Sequence, residues 1–439
     1  VEEDFGRAAV VARVEAERFL GTADGHERLR DAKGCPGLAA PWLQHERNPQ
    51  RQGGQPERVH TRGVARKDRA ESVRLRNVAQ LAAALLARDG YEVVGVTMRL
   101  FNAPNESVAR LNKSCCSLED VEDARAVCRK IGAKHYFLNF EEEFQKHVVD
   151  YFVGEYERGR TPHPCLACND RLKFEFLVRR AELMDADVVA TGHYARIRKD
   201  NGEYKLLAGI DSMKDQSYVL YTLSQEQLSK LALPIGDYSK DEIREVARDL
   251  GLSIADKPDS QDICFIPDGD YNRFIEPRLK RKAPGDIIDA EGKVLGEHEG
   301  IHGFTIGQRK RIPIFNSTPR PMYVTDINAE SGQVTVGPAE NLMKTRLYAS
   351  GVNWISGSSP TESITAEARI RYNGRNTPAK VRAVSGGAEI EFNEPVRAIT
   401  PGQAVVFYQD DVVIGGGLIE TSLPELSKQN PNESGDSTE

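Results

Sequence analysis

The chain has 439 residues, 39% of them hydrophobic and 28% charged, with a formal net charge of −7 and seven cysteines. That balance predicts a globular protein of about two to three domains, and no stretch approaches the ~18 apolar residues of a membrane helix, so no membrane partner is expected. An odd, modest cysteine number and the lack of a secretory leader pattern lead us to expect a cytoplasmic protein with reactive thiols rather than a disulfide framework, and the negative charge argues against a bulk nucleic-acid coat while leaving room for a local basic face.

In chain order, residues 1–76 stand apart: thirteen Arg against two Lys, scattered Gly, Gln and Pro, and no sustained period of 2 or 3.6. We expect this segment to be disordered or out of frame. From Ala82 the texture changes. Ala82–Ala87 reads as a helix end, and Tyr91–Met98, bounded by Gly90, as a buried strand. A helix over Leu118–Ile131 follows, with Ser117 as its cap, then a strand over His135–Phe140 and a long helix over Glu142–Gly159. Another helix over Asn169–Met184 leads to a strand over Asp187–Thr191. This alternation predicts an α/β fold with a doubly wound parallel sheet over 77–270. Turn-rich, alternating sequence such as Gly285–Thr305 predicts a small β-rich central domain over 271–342. Strands over Ala366–Tyr372, Ala379–Val384, Ala388–Phe392 and Ala404–Tyr408 predict a C-terminal antiparallel β-barrel over 343–422. The polar tail, 423–439, is expected to be disordered.

Two cysteines carry candidate chemistry. Cys168 directly precedes the helix expected from Asn169, where free N–H groups and the positive helix end stabilise a thiolate; Arg171 and Lys173 add charge. Cys264 lies in a loop after Pro258. One could hold a transferable sulfur as a persulfide while the other attacks, or the pair could close a disulfide once sulfur leaves. A lone cysteine is otherwise a small buried hydrophobe, the reading given to Cys128. Cys165 and Cys168 also form C-x-x-C, and Cys115-Cys116 precede another helix. These four are candidate ligands of zinc or an iron–sulfur cluster, or else spare thiols. Thr191-Gly192-His193-Tyr194 follows a strand and so sits at the carboxyl edge of the sheet, where such folds bind ligands.

Taken in order, Thr161-Pro162-His163-Pro164-Cys165-Leu166-Ala167-Cys168-Asn169, Thr191-Gly192-His193-Tyr194-Ala195-Arg196, Lys214-Asp215-Gln216-Ser217-Tyr218 and Asp259-Ser260-Gln261-Asp262-Ile263-Cys264-Phe265 resemble the tRNA-specific 2-thiouridylases. Gly300-Ile301-His302 with Thr305–Lys310 is similar to that family's central-domain signature, and the likeness runs from about Ala82 to Glu420. The resemblance implies a nucleotide-binding domain of the phosphate-loop, adenine nucleotide alpha hydrolase type. It also implies ATP with Mg2+ as co-substrate, tRNA as substrate and a sulfur-donor persulfide-relay protein as partner. The implied reaction is ATP-dependent 2-thiolation of the wobble uridine. In it Cys168 is the nucleophile and Cys264 the persulfide carrier. Met98 and Gly192 contact ATP, and His163, Pro164 and Cys165 face the target base. His193, Lys214, Asp215, Gln216, Arg371, Tyr372 and Gln403 meet tRNA.

One part departs from that pattern. The family's Ser-Gly-Gly-Val-Asp-Ser phosphate loop is missing, and Val73-Arg74-Leu75-Arg76-Asn77-Val78-Ala79-Gln80-Leu81 stands before the helix it should open. Bulky side chains there block a backbone cradle for phosphates. A second reading is therefore a tRNA-binding homologue without adenylation activity. A third is an amide-forming ligase of the same fold, which would need no sulfur-carrying cysteines.

Overall fold

A computed structural model describes residues 8–13, 73–75, 78–101, 118–254, 263–266, 268–280, 282, 284–315 and 320–420. The chain folds as two compact units, one of 1–145, 168–217 and 225–269, the other of 146–167, 218–224 and 270–439. The boundaries expected from sequence are linear. The folded division is not, since 146–167 and 218–224 join the β-rich half.

The strands of the first unit are β1 (Ala8–Arg13), β2 (Val73–Leu75), β3 (Glu92–Arg99), β4 (Lys134–Asn139), β5 (Val188–Ala190), β6 (Ala195–Asp200), β7 (Glu203–Ala208), β8 (Leu231–Ala232) and β9 (Leu252–Ile254). The main sheet has the order β4-β3-β1-β5-β8. Its pairs β3–β4 and β5–β8 are parallel, as the alternation of strands and helices predicts. Between them β1 runs antiparallel to both neighbours, with Val10 opposite Gly95 on one side and Ala190 on the other. Residues 1–76 were expected to contribute no strand. Ala8-Ala9-Val10-Val11-Ala12 does so because a strand inside a sheet needs no polar alternation, and so shows no period of 2. Val73-Arg74-Leu75, read as part of the same aberrant segment, pairs in parallel with β9.

Helix Val78–Arg88 is rich in Ala and Leu, and Ala79–Leu86 are all buried. It stops at Gly90, whose φ of 89° is low in cost only for glycine. There the amides of Gly90 and Tyr91 donate to the carbonyls of Ala87 and Leu86. The long helix expected over Glu142–Gly159 is three segments: Glu141–Phe144, a wider π-helical turn Gln145–Val149, and Asp150–Glu157.

In the second unit, β10 (Gly285–Ile288), β11 (Val294–His298), β12 (Tyr323–Asn328) and β13 (Gln333–Gly337) form a sheet of order β11-β10-β13-β12. Ile287, Val324, Val334 and Val336 are fully buried beneath it, with Ile301 and Phe304. Then come β14 (Met343–Trp354), β15 (Ile364–Arg369), β16 (Thr377–Val384), β17 (Gly387–Arg397), β18 (Ala404–Gln409) and β19 (Val412–Ile419). Each pairs antiparallel with the next in the circuit β14-β17-β16-β15-β18-β19, and β19 pairs back onto β14. Closure removes the exposed strand edges. Inside, Ala366, Ala368, Ala379 and Ala388 leave room for Phe392 and Phe407.

Phe407 has no exposed surface, and the Trp354 ring lies 5.7 Å from it. Phe407→Ala should therefore destabilise the barrel by about 3–5 kcal/mol. Urea unfolding followed by tryptophan fluorescence measures this; a loss below about 1 kcal/mol would mean the interior collapses around the deletion.

Candidate active site

The first unit gathers several expected residues at the carboxyl edge of its sheet. Met98, near the end of β3 opposite Leu138, is fully buried. Gly192 follows β5, and a Cβ there would lie 2.7 Å from the Ala79 nitrogen and 2.9 Å from the Val78 carbonyl carbon. Glycine is therefore required for the turn to approach the first turn of helix Val78–Arg88. The next residue, His193, is also fully buried, and its Nδ1 lies 2.6 Å from the Thr191 hydroxyl. Its ring packs 5.9 Å from Phe174. Burial, and then the charge of Lys173, push the His193 imidazole well below its usual range. A neutral, enclosed imidazole is what the structure places at an expected tRNA contact.

Lys214, Asp215 and Gln216 occupy one loop in different ways. Asp215 is buried and accepts from the amides of Gly209 and Ser217 and the Ser217 hydroxyl. Gln216 is buried and accepts from the Tyr194 amide. Both shape the loop's backbone; Lys214 is the half-buried member.

The cysteine segment differs from its expected geometry. The helix begins at Pro164, not Asn169: Pro164–Ala167 is α-helical and Cys168–Phe176 π-helical. Proline suits the first helical position, since its missing N–H would have no partner there. Cys168 is thus the fifth helical residue, beyond the first turn to which the end charge is confined, and Cys165 lies in that turn. The expected cations also differ. The Arg171 side chain pairs with Asp170 and Glu175, while Lys173 is buried. Cys264 sits in a short turn between buried Ile263 and Phe265, with the Ile266 amide donating to the Ile263 carbonyl. Cys165, Cys168 and Cys264 are half-buried. Cys115 and Cys116 lie outside the described residues. Among the described residues, no group of three or more His, Cys, Asp or Glu could hold a metal ion.

In the second unit three rings meet. His163 lies 6.0 Å from Tyr218 and 6.3 Å from Tyr372, and the two tyrosines are 6.0 Å apart. The His163 side chain is 3% exposed, and neither ring nitrogen reaches a hydrogen-bond partner outside its own backbone. Burial pushes this imidazole down to about 4. Tyr218 is fully buried, and its hydroxyl donates to the Ala404 carbonyl at 2.8 Å. Arg371 donates to the Ala398 carbonyl at 2.8 Å, and burial lowers its pKa, followed by the nearby Arg397 charge. Gln403 donates to the carbonyls of Thr161 and Pro162. His163, Arg371, Tyr372 and Gln403 thus come from distant parts of the sequence into one unit. Tyr218 ends the Lys214–Tyr218 motif, whose sequence gives it no site role; only packing shows that it forms a wall of this cluster.

Three family models match successive parts of the chain. They are described as the tRNA methyl transferase HUP domain over 79–268, its PRC-barrel domain over 272–338, and an aminomethyltransferase beta-barrel domain over 344–419. Among curated proteins, the tRNA-specific 2-thiouridylase MnmA of Carboxydothermus hydrogenoformans is 46% identical over 349 residues, 79% of this chain and 95% of that protein. The one from Geobacter metallireducens is 47% identical over 352 residues, with the same coverage. That of Clostridioides difficile is 45% identical over 349 residues, covering 79% and 96%.

The buried imidazole has a signature in pH. Above the ordinary value of 6.5 His163 is neutral folded and unfolded, and adds no pH dependence. As pH falls, the unfolded chain takes up a proton that the folded one refuses until about 4. His163 therefore lowers stability progressively across that window, by on the order of 3 kcal/mol at its acid end. Unfolding midpoints measured from pH 7 to 4 should fall less steeply for His163→Phe than for the wild type; parallel curves would show that the imidazole ionises in the folded state.

Proposed function

Because this chain belongs to the tRNA-specific 2-thiouridylase family, we propose that it is a tRNA sulfurtransferase that replaces oxygen by sulfur at C2 of the wobble uridine. The observation that carries the reading is the ring cluster. A neutral His163, 3% exposed, brings one donor and one acceptor nitrogen into an aromatic surround with Tyr218 and Tyr372, which a base reaches only when the cluster opens. That chemistry complements an unstacked pyrimidine, which needs both stacking and edge hydrogen bonds.

In the proposed sequence, the uridine O2 attacks the α-phosphate of Mg2+-bound ATP and pyrophosphate leaves. A persulfide on Cys264, loaded by a donor protein, attacks C2 through its terminal sulfur, and AMP leaves. The Cys168 thiolate then attacks the Cys264 sulfur of that adduct. The new S–S bond joins the two cysteines, and the C2–S bond stays on the base as the thiocarbonyl. The uridine sulfur is reduced at the expense of two thiols, so an external reductant must reopen the disulfide. The half-buried position of both cysteines supports these roles.

A specific observation favours the second reading, a tRNA-binding homologue without adenylation. In β1, Ala8 lies opposite Thr97 and Arg13 opposite Glu92. The carboxyl end of β1 therefore leaves the sheet at the edge opposite Met98 and Gly192. A strand running this way cannot deliver a phosphate loop to the nucleotide edge, and no glycine lies within 73–81 to make one.

Two experiments test these readings. Cys264→Ser should abolish thiolation and leave tRNA affinity within about threefold, since one substitution away from the RNA contacts costs under ~1 kcal/mol. Retained thiolation would remove Cys264 from the mechanism. Calorimetric titration should show ATP binding weaker by several kcal/mol than in a version carrying Ser-Gly-Gly-Val-Asp-Ser in place of residues 73–80 after an apolar strand, because each charge-assisted phosphate contact is worth about 1.5–3 kcal/mol. Equal micromolar affinity would mean that other residues hold the phosphates.

A further inference from the structure

The turn Thr400-Pro401-Gly402-Gln403 between β17 and β18 grips the chain just before His163. The Thr161 amide donates to the Pro401 carbonyl at 2.8 Å. In return, the Gln403 Nε2 donates to the carbonyls of Thr161, at 2.9 Å, and Pro162, at 3.3 Å. Between these anchors Gly402 takes a φ of 89°, and a Cβ there would lie 2.9 Å from the Thr161 carbonyl oxygen and 3.1 Å from the Arg160 Cβ. Arg160, one residue earlier, forms an ion pair with Glu155 at 2.7 Å and another with Glu420 at the end of the barrel. The first residue of β18, Ala404, accepts from the Tyr218 hydroxyl. Two walls of the ring cluster are therefore set from adjacent residues: His163 from Gln403, through Thr161 and Pro162, and Tyr218 from Ala404.

We propose that Gln403 is a positioning residue: its amide fixes the carbonyls of Thr161 and Pro162, and so holds His163 and the helix start at Pro164 and Cys165 in register for the target base. This rests on the reading above that the ring cluster receives the uridine. It assigns Gln403 a role through the protein backbone rather than a contact with tRNA. The reason is occupancy: both N–H donors of a primary amide sit on the one nitrogen that these two carbonyls hold. Proline at 162 and 164 sharpens the dependence. Neither has an amide hydrogen, so the segment has few backbone donors of its own and relies on acceptors being met from outside.

The test compares Gln403→Glu, which replaces the donor with a third acceptor facing two carbonyls, with Gln403→Lys, which keeps N–H donors within reach. Amide hydrogen exchange over 160–166, thiolation at saturating tRNA, and tRNA affinity are measured on the full chain. For Gln403→Glu we expect exchange over 160–166 to rise by about tenfold or more, with β14–β19 unchanged. The thiolation kcat should fall by a similar factor while the tRNA Kd stays within about twofold. Gln403→Lys should restore both exchange protection and kcat. A weakened tRNA Kd with unchanged exchange would make Gln403 a direct RNA contact and overturn the proposal, as would no change in any readout. If Gln403→Glu fails to fold, Gln403→Met removes the donor without adding charge and is judged by the same outcomes. A wild-type chain that does not thiolate would sink the enzymatic reading, while the exchange measurements would still decide the role of Gln403.

Discussion

Between β3 and β5 the sheet has one central position, and the backbone groups facing it from both sides need partners. Unpaired amides and carbonyls inside a sheet cost as much as the hydrogen bonds they fail to make. In this chain β1 meets that demand, pairing with β3 over six residues and with β5 over three. What the edge at Met98 and Gly192 can hold depends on which way that strand runs. A parallel strand would end at the edge of Met98 and Gly192, the edge at which helix Val78–Arg88 begins. The observed antiparallel strand keeps the sheet intact but ends at the other edge. Sheet integrity and phosphate binding are thus separable: any short apolar segment can supply the first, whereas only a strand of the right direction, followed by glycines, supplies the second.

The second unit solves a different problem. Removing an imidazole from water favours its neutral form, and His163 is held in that form by burial alone. A neutral ring can donate from one nitrogen and accept at the other, the pattern that a nucleobase edge presents in return. Such a group must be held by its surroundings, since it forms no outside hydrogen bond of its own. The barrel is a stiff frame for this purpose: it closes on itself, its interior is filled by aliphatic side chains and two Phe rings, and its turn at 400–403 reaches the 161–162 segment. A rigid closed frame offering loops to a recognition site places its geometry in backbone contacts, which tolerate sequence change outside the few residues that make them.

The cysteine helix shows how a short motif can be plain in its residue types and still be misread for geometry. Its residues suggest a thiol site, and both Cys165 and Cys168 are half-buried. The expected helix start at Asn169 rested on Cys168 acting as the flanking residue. Pro164 overrides that, because its ring already has the helical φ. The following turns have π-helical spacing, and Lys173 within them is buried, its charge acting on His193.

By itself the sequence determined the alternating α/β pattern, the barrel strands, the family and the identity of the thiol and ring-bearing motifs. These depend on local periodicity and on residue types at short spacing, which a chain carries without being folded. Only the tertiary structure decided that 146–167 and 218–224 belong with the β-rich half, that Asp215, Gln216 and Gln403 turn their polar groups to the backbone, and that Tyr218 joins His163 and Tyr372. A side chain's partner is set by long-range packing, and the same glutamine can face RNA or a carbonyl. Strand direction is of this kind as well: Ala8–Arg13 reads the same in either orientation, and its antiparallel run follows from which neighbours pair with it, a choice made across the sheet rather than along the chain.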